Sequence, residues 1–339
     1  MADRPITRRS FTRCLAAGSG LLVFARRTRA ADFTFRQYHN QPVESPLHAR
    51  LVEMWAAVGR ETGGRIDVRI FPENNYQKPA DPNPLDLLAS GALEFYTNSG
   101  NGLASIVPPA DVQATPLAFH TREQVFRAID SDIGDYLRAE LRAKGLYLVP
   151  FGGFENGFHQ FTTASRAIRT AADLQGLRLR APGSPAYLDF FHTFGATTTS
   201  MNIRGLYAAL KAGTVEAQED PLDIIELLRL YEVQRHVAMT HHSWSGYNLL
   251  ANLKVWNALP DDIRASIERH ARRCVALQRQ DMDRLDRGLR ATLTARGMVF
   301  TDTDMASFRP AMGAFYMRWR AHIGERAWRL LEGHVGRVT

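Results

Sequence analysis

Arg180 closes an alternating run, Leu177-Arg178-Leu179-Arg180, and Ala181-Pro182-Gly183 follows at once. A strand ending there puts a guanidinium at its carboxyl end, where α/β sheets bind ligands. A guanidinium so placed can hold a carboxylate through two parallel hydrogen bonds. The same spacing is equally compatible with a surface ion pair. His236, His241 and His242 gather in sequence, but metal pairs on a helix need a spacing of three or four that these lack. Hydrogen-bonded or solvated histidines account for them without a metal. Gly100-Asn101-Gly102-Leu103-Ala104-Ser105 has two glycines of a dinucleotide loop and lacks the third. The HExxH, CxxC, G-x-S-x-G and P-loop patterns do not occur. The residue types point to recognition of an anion more than to a built-in reaction, and no metal or cofactor is expected.

The elements that would position these groups alternate between strands and helices. Residues 32–37 alternate polar and apolar, as a half-buried strand does. Leu47, Leu51, Met54, Trp55 and Val58 have helical spacing, and Gly63-Gly64 stops that helix. Ile66, Val68 and Ile70 predict a second strand, ending at Pro72. Short strands are expected at 93–96, 146–150 and 177–180, and helices at 85–90 and 185–194. Such an order indicates α/β layers with partly parallel sheets. After Pro260-Asp261-Asp262, a helix start with two acids at its positive end, no proline and only Gly288 intervenes before Gly297. Some 35 residues of helix would span about 50 Å, enough to bridge two lobes. Two helices broken near Gly288 are the alternative.

Composition excludes several classes. The chain has 339 residues, 45% hydrophobic and 23% charged, as in ordinary globular proteins of about two domains. The net charge of +7 is concentrated at the start, where residues 1–30 hold seven arginines and one acid. The remainder has 35 basic and 34 acidic side chains, so a nucleic-acid partner is not expected. The first thirty residues read as an export signal. Arg8-Arg9 with Phe11 form a twin-arginine pattern, an apolar stretch runs from 15 to 25, and small residues follow at Ala30-Ala31. Cleavage near Ala30 would leave a periplasmic chain whose one thiol is Cys274. Its setting in the helical pattern reads as packing.

Longer motifs carry a family resemblance. Asp173-Leu174-Gln175-Gly176-Leu177-Arg178-Leu179-Arg180-Ala181-Pro182 resembles the D-L-K-G-L-K-x-R-x-P segment of TRAP transporter solute-binding proteins of the DctP type. Leu206-Tyr207-Ala208-Ala209-Leu210-Lys211-Ala212-Gly213-Thr214-Val215-Glu216-Ala217-Gln218-Glu219-Asp220-Pro221 is similar to their L-Y-x-A-L-x-x-G-x-V-D-G-Q-E-N-P. Tyr231-Glu232-Val233-Gln234, Thr240-His241-His242 and Trp256-Asn257-Ala258-Leu259-Pro260 continue the match in order.

The resemblance implies a two-lobed α/β periplasmic-binding-protein fold with hinge strands and one long lobe-bridging helix. Lobe I would comprise residues 31–156 and 246–285, lobe II residues 157–245 and 286–339. It implies capture of a small organic acid and its delivery to an integral-membrane permease, without catalysis. Carried over by position, Arg180 clamps a carboxylate and Asn40 contacts ligand. Asn98 and Ser99 line the cleft, and Trp244 and His242 face the ligand from the hinge side. Two positions depart from the pattern: His159 stands where many relatives have a second arginine, and Asp220 where many have asparagine. A second acid beside Arg180 disfavours a dicarboxylate. It favours a monocarboxylate bearing a hydroxyl, an amino group or an aromatic ring. Asp220 would accept a ligand hydrogen bond or contact a cation, or else only buttress Arg180. Phe151, Phe154, Phe158, Phe161, Tyr187, Phe190 and Phe191 read mostly as core, with one or two free to wall a pocket. The alternative functions are an exported α/β enzyme on organic acids, with His159 and Asp220 as acid–base pair, and a sensor module that docks on a receptor.

Overall fold

Ile66, Val68 and Ile70 face inward while Asp67 and Arg69 stay exposed, and the strand they make opens a sheet of mixed direction. The computed structural model describes residues 30–74, 82–182 and 185–338. The expected export signal lies outside the described residues except for Ala30, as do Gly183 and Ser184. Residues 31–339 form one unit. Its strands, among the described residues, are β1 (Phe33–His39), β2 (Ile66–Phe71), β3 (Phe95–Ser99), β4 (Leu146–Phe158), β5 (Gln160–Thr163), β6 (Arg178–Ala181), β7 (Thr197–Ser200), β8 (Ala217–Asp220), β9 (His236–Met239), β10 (Trp244–Asn252) and β11 (Val299–Asp302).

They build two sheets, ordered β2-β1-β3-β10-β4 and β11-β9-β5-β8-β6-β7. In the first, β1 runs parallel to β2 and β3, and β10 antiparallel to β3 and β4. In the second, β6 runs parallel to β7 and β8, while β5 is antiparallel to β8 and β9. The chain passes between the sheets where β4 gives way to β5 and where β9 gives way to β10. At the crossing, Phe158 pairs with Trp244 and Gly157 with Ser245. Helices cover each sheet, so the molecule is a two-lobed α/β protein.

β4 is longer than its sequence predicts. The strand expected to stop at Pro150 continues to Phe158. It lies at the sheet edge, where a missing N–H needs no partner. Phe151 adopts a positive φ of 55°, and a register shift between Asn248 and Leu250 absorbs the irregularity. β3 begins two residues later than expected.

One unbroken helix, Asp261–Ala295, spans 35 residues. A Cβ at Gly288 would meet nothing within 4 Å, so this glycine is an exposed position and not a break. The first half of the helix packs Ile263, Ile267, Ala271 and Cys274 with Leu51, Trp55 and Val149. The second half packs Leu289 and Leu293 with Leu210, Ile225 and Val237. Each such buried aliphatic contributes about 1.5–3 kcal/mol of transfer free energy, so the helix is anchored to both lobes. Near its middle, buried Gln278 donates to the Glu155 carbonyl and accepts from the Glu155 N–H, both at 2.8 Å. This side chain takes the place of a missing β-partner for β4.

Gln278→Ala should therefore leave two buried backbone groups unpaired, at roughly 1–3 kcal/mol each. Urea denaturation should show a stability loss on the order of 2–6 kcal/mol. A loss under about 0.5 kcal/mol would show that the helix is not fastened there.

Candidate functional site

Arg180 is the third residue of β6 and only 2% exposed. Its Nε and Nη2 donate to the Met201 carbonyl at 3.2 and 2.9 Å, and its Nη1 donates to Asp220 Oδ2 at 3.1 Å. Asp220 ends β8, which pairs directly with β6: Gln218 is the β8 residue opposite Arg180. Burial pushes the Asp220 carboxyl up to about 6, against the pull of Arg180.

Glu219 precedes Asp220 and points to the opposite side of the strand. Its Oε2 receives His159 Nδ1, the Tyr187 hydroxyl at 3.0 Å and His242 Nε2 at 3.2 Å. Burial would raise Glu219, but His159 and then His242 outweigh it and hold the carboxyl down to about 2. Burial would lower His159 as well; the Glu219 charge outweighs that and holds the imidazole above its ordinary value. His159 Nε2 lies 2.7 Å from Ser245 Oγ. Asn156 Nδ2 donates to the same Oγ, and the Tyr247 hydroxyl donates to Asn156 Oδ1, both at 2.7 Å.

Arg180, Asp220, His159, Asn156, Ser245 and Tyr247 face a cavity of about 50 Å³ between strand ends of the two sheets. Asn40 and Ser99 come from the carboxyl ends of β1 and β3, Arg180 and Asp220 from those of β6 and β8. The cavity shares Asn40, Ser99, Arg180 and Pro182 with an open cleft of about 510 Å³. Asn74, Asn83, Asn98 and Asn202 line that cleft. Asn98 is 5% exposed, and its Nδ2 has no hydrogen-bond partner. A Cβ at Gly102 would come within 2.5 Å of that nitrogen, so the glycine in the loop after β3 makes room for the asparagine.

Of the residues expected at the site, the structure brings together Arg180, His159, Asp220, Asn40, Asn98 and Ser99. It does not bring Trp244 or His242 to the cleft. Alternation along β10 explains the first: Ser245 and Tyr247 line the cavity, so Trp244 points the other way. Its indole N–H donates to Glu155 Oε1 at 2.9 Å, and its ring meets Phe126 edge-on. His242 is stacked on Phe161 with ring centroids 4.3 Å apart, behind Glu219. Burial lowers its pKa, and Thr240 Oγ1 meets its Nδ1 at 2.8 Å. The three histidines near 240 do not converge, and no metal-binding group of three or more such side chains occurs among the described residues. Sequence reasoning missed Asn156, Ser245, Tyr247 and Glu219. For Glu219 there was a signal: two adjacent acids inside a short strand must face opposite ways, so each needs its own cation.

Two α/β lobes joined through paired strands and one long helix, with a polar cleft holding a buried arginine between strand ends, define a ligand-capturing protein. The sequence model for the bacterial extracellular solute-binding proteins, family 7 (DctP), matches residues 38–322, and the chain belongs to that family. A solute-binding protein of Verminephrobacter eiseniae is 29% identical over 96% of this chain and 97% of its own. The 2,3-diketo-L-gulonate-binding periplasmic protein of Escherichia coli is 25% identical over 87% of this chain and 89% of its own. The crystal structure of a TRAP periplasmic solute-binding protein from Polaromonas sp. JS666, bound to D-erythronate, superposes with a TM-score of 0.82 at 25% identity. That match covers 88% of this chain and 98% of the other. No helix among the described residues is long and apolar enough to cross a membrane.

Beside the site, burial raises the Glu155 carboxyl from 4.5 to about 7, against the opposing Arg122 charge. Between those values the folded protein holds a proton that the unfolded chain has released, so this group makes stability fall as pH rises. At about 1.4 kcal/mol per unit the loss is roughly 3 kcal/mol. Glu155→Gln keeps an acceptor for Trp244 and removes the titration. The variant's stability relative to wild type should therefore improve by roughly 3 kcal/mol between pH 4.5 and 7.5. Chemical denaturation at both pH values checks this, and a constant difference would count against a buried neutral Glu155.

Proposed function

We propose that this protein captures a small hydroxylated monocarboxylic acid in the interlobe cleft, with Arg180 as the carboxylate clamp, and delivers it to a TRAP permease. The observation that carries the reading is the state of Arg180. It is buried in the cleft, and three of its five N–H donors are used by Met201 and Asp220. Two remain, one on each terminal nitrogen, and we assign them to the ligand carboxylate. Among the described residues, each basic side chain of the cleft already faces an acid: Arg180 faces Asp220, His159 faces Glu219, and His322 faces Asp111. Among these residues a second ligand carboxylate would meet no unmatched basic group, which favours one carboxylate over two. The asparagine-lined remainder of the cleft suits hydroxyl groups. D-Erythronate, named for one of the relatives, is an acid of that kind; 2,3-diketo-L-gulonate, named for another, is a hydroxylated monocarboxylate with an oxo group next to the carboxylate.

Closure over the ligand is a hinge motion, in which the bound acid stabilises the closed state. The lobes we assign are residues 31–156 with 246–285, and 157–245 with 286–339.

One observation favours an enzyme: Ser245, His159 and Glu219 align as a serine triad would. The Glu219 charge argues for binding instead: it holds His159 above its ordinary value, which favours the imidazolium form, and that form has no lone pair to take the serine proton. Neither ring nitrogen contacts Asp220, so the expected His159–Asp220 acid–base pair is not formed.

A thermal-shift screen of residues 31–339 against organic acids tests the proposal. A ligand of the native state should add about 2.7 kcal/mol of stability at a hundredfold excess over Kd. The shift should vanish in Arg180→Ala. A shift that survives this substitution would place the clamp elsewhere, and turnover of the bound acid would favour the enzyme.

The twin-arginine segment is proposed to export the folded chain. Mass spectrometry of periplasmic protein should find a new N-terminus within a few residues of Ala31, and Arg8→Lys with Arg9→Lys should strand the chain in the cytoplasm. An unprocessed chain would overturn the assignment.

A further inference from the structure

We infer that Asp220 reads the substituent on the carbon next to the ligand's carboxylate, favouring acids with a hydrogen-bond donor there over 2-oxo acids of the same size. The inference rests on the binding function proposed above.

The argument starts from what Arg180 has left to give. Its Nε edge is closed by the Met201 carbonyl, and one Nη1 hydrogen goes to Asp220 Oδ2 at 3.1 Å. A carboxylate on the two remaining donors is thereby seated beside Asp220. The ligand atoms nearest that seat, after the carboxylate itself, are the substituents on the adjacent carbon. Asp220 is therefore the protein group most directly opposed to them on the Arg180 side of the cavity.

What Asp220 can do there follows from its charge. Burial raises it to about 6, which still leaves it ionised at pH 7.5. An ionised carboxylate only accepts hydrogen bonds. A hydroxyl on the adjacent carbon donates to it, and an ammonium would do so with added charge attraction. An oxo oxygen brings lone pairs against lone pairs in a site where Asp220 is only 5% exposed, so water cannot easily relieve the mismatch. The neighbouring groups do not reverse this. Glu219 is turned to the other face of β8 and held by His159, Tyr187 and His242. His159 has both ring nitrogens engaged. A single hydrogen bond to a buried charged acceptor corresponds to a preference on the order of 10–100-fold.

The test is calorimetric titration of residues 31–339 at pH 7.5 with matched pairs: lactate and pyruvate, glycerate and hydroxypyruvate, gluconate and 2-oxogluconate. Alanine and serine accompany the first two pairs to separate an ammonium donor from a hydroxyl. The hydroxy acid of a pair, or its amino counterpart, should bind on the order of 10–100-fold tighter than the oxo acid. In Asp220→Asn, whose amide can also donate, the two should bind within a few-fold of each other. Equal or tighter binding of the oxo acid by wild type would overturn the inference, as would an undiminished preference in Asp220→Asn. The wild-type comparison decides alone if the variant fails to fold. Binding of other carboxylates, but of no member of these pairs, would overturn the inference and leave the Arg180 clamp standing. Binding of no carboxylate at all would overturn the clamp, and this inference with it.

Discussion

Arg180 and His159 are buried between the strand ends of this protein, and each is matched to one carboxylate. Removing an ion from water costs several kcal/mol even after the protein relaxes, so neither Arg180 nor a protonated His159 could occupy its place alone. The matching is done by two consecutive residues of β8. Strand alternation sends Glu219 to one side and Asp220 to the other, so one short strand supplies both counter-charges without letting them share a cation. The surroundings of each pair then differ. The His159–Glu219 pair is closed off by Tyr187, His242 and Ser245. Arg180 keeps uncommitted donors where the lobes meet. The same strand therefore supplies one pair whose partners are largely taken up and one whose arginine keeps free donors.

The long helix sets the frame in which this balance operates. Its two halves belong to different hydrophobic clusters, and Gln278 near the middle substitutes for a strand partner of Glu155. Glu155 in turn receives the Trp244 indole. A chain of contacts thus runs from the bridging helix through β4 to the first residue of β10, the place where the chain leaves one lobe for the other. The buried carboxyl at this junction serves the frame and does not reach the cleft.

Much of this arrangement was legible in the sequence because it rests on local rules. The alternation that ends at Arg180, the acids that open the long helix and the lack of any break before Gly297 are patterns of one segment each. What was not legible depends on parity and partners. Trp244 lies next to Ser245, and only the register of β10 decides which of the two faces the cavity. His242 carries the chemistry of a site residue, yet its ring is taken up by Phe161 and Glu219, which are distant in sequence. Pro150 marks the end of a strand by every local criterion; it is tolerated because β4 happens to lie at the edge of its sheet. Asn156 and Tyr247 became visible only when the strands that carry them were seen paired.

Besides the long helix, the crossing between the lobes is made by two strands that hydrogen-bond to each other, Phe158 to Trp244 and Gly157 to Ser245. Two separate linkers would let the lobes swivel, slide and flex independently. A paired ribbon bends across its flat face but resists shear and in-plane rotation, because those movements break its ladder. Such a joint would confine relative motion of the lobes near a single axis. Closure about it would return Asn40 and Ser99 to the same side of Arg180 and Asp220, so reproducibility of the assembled pocket would come from the joint and not from the ligand.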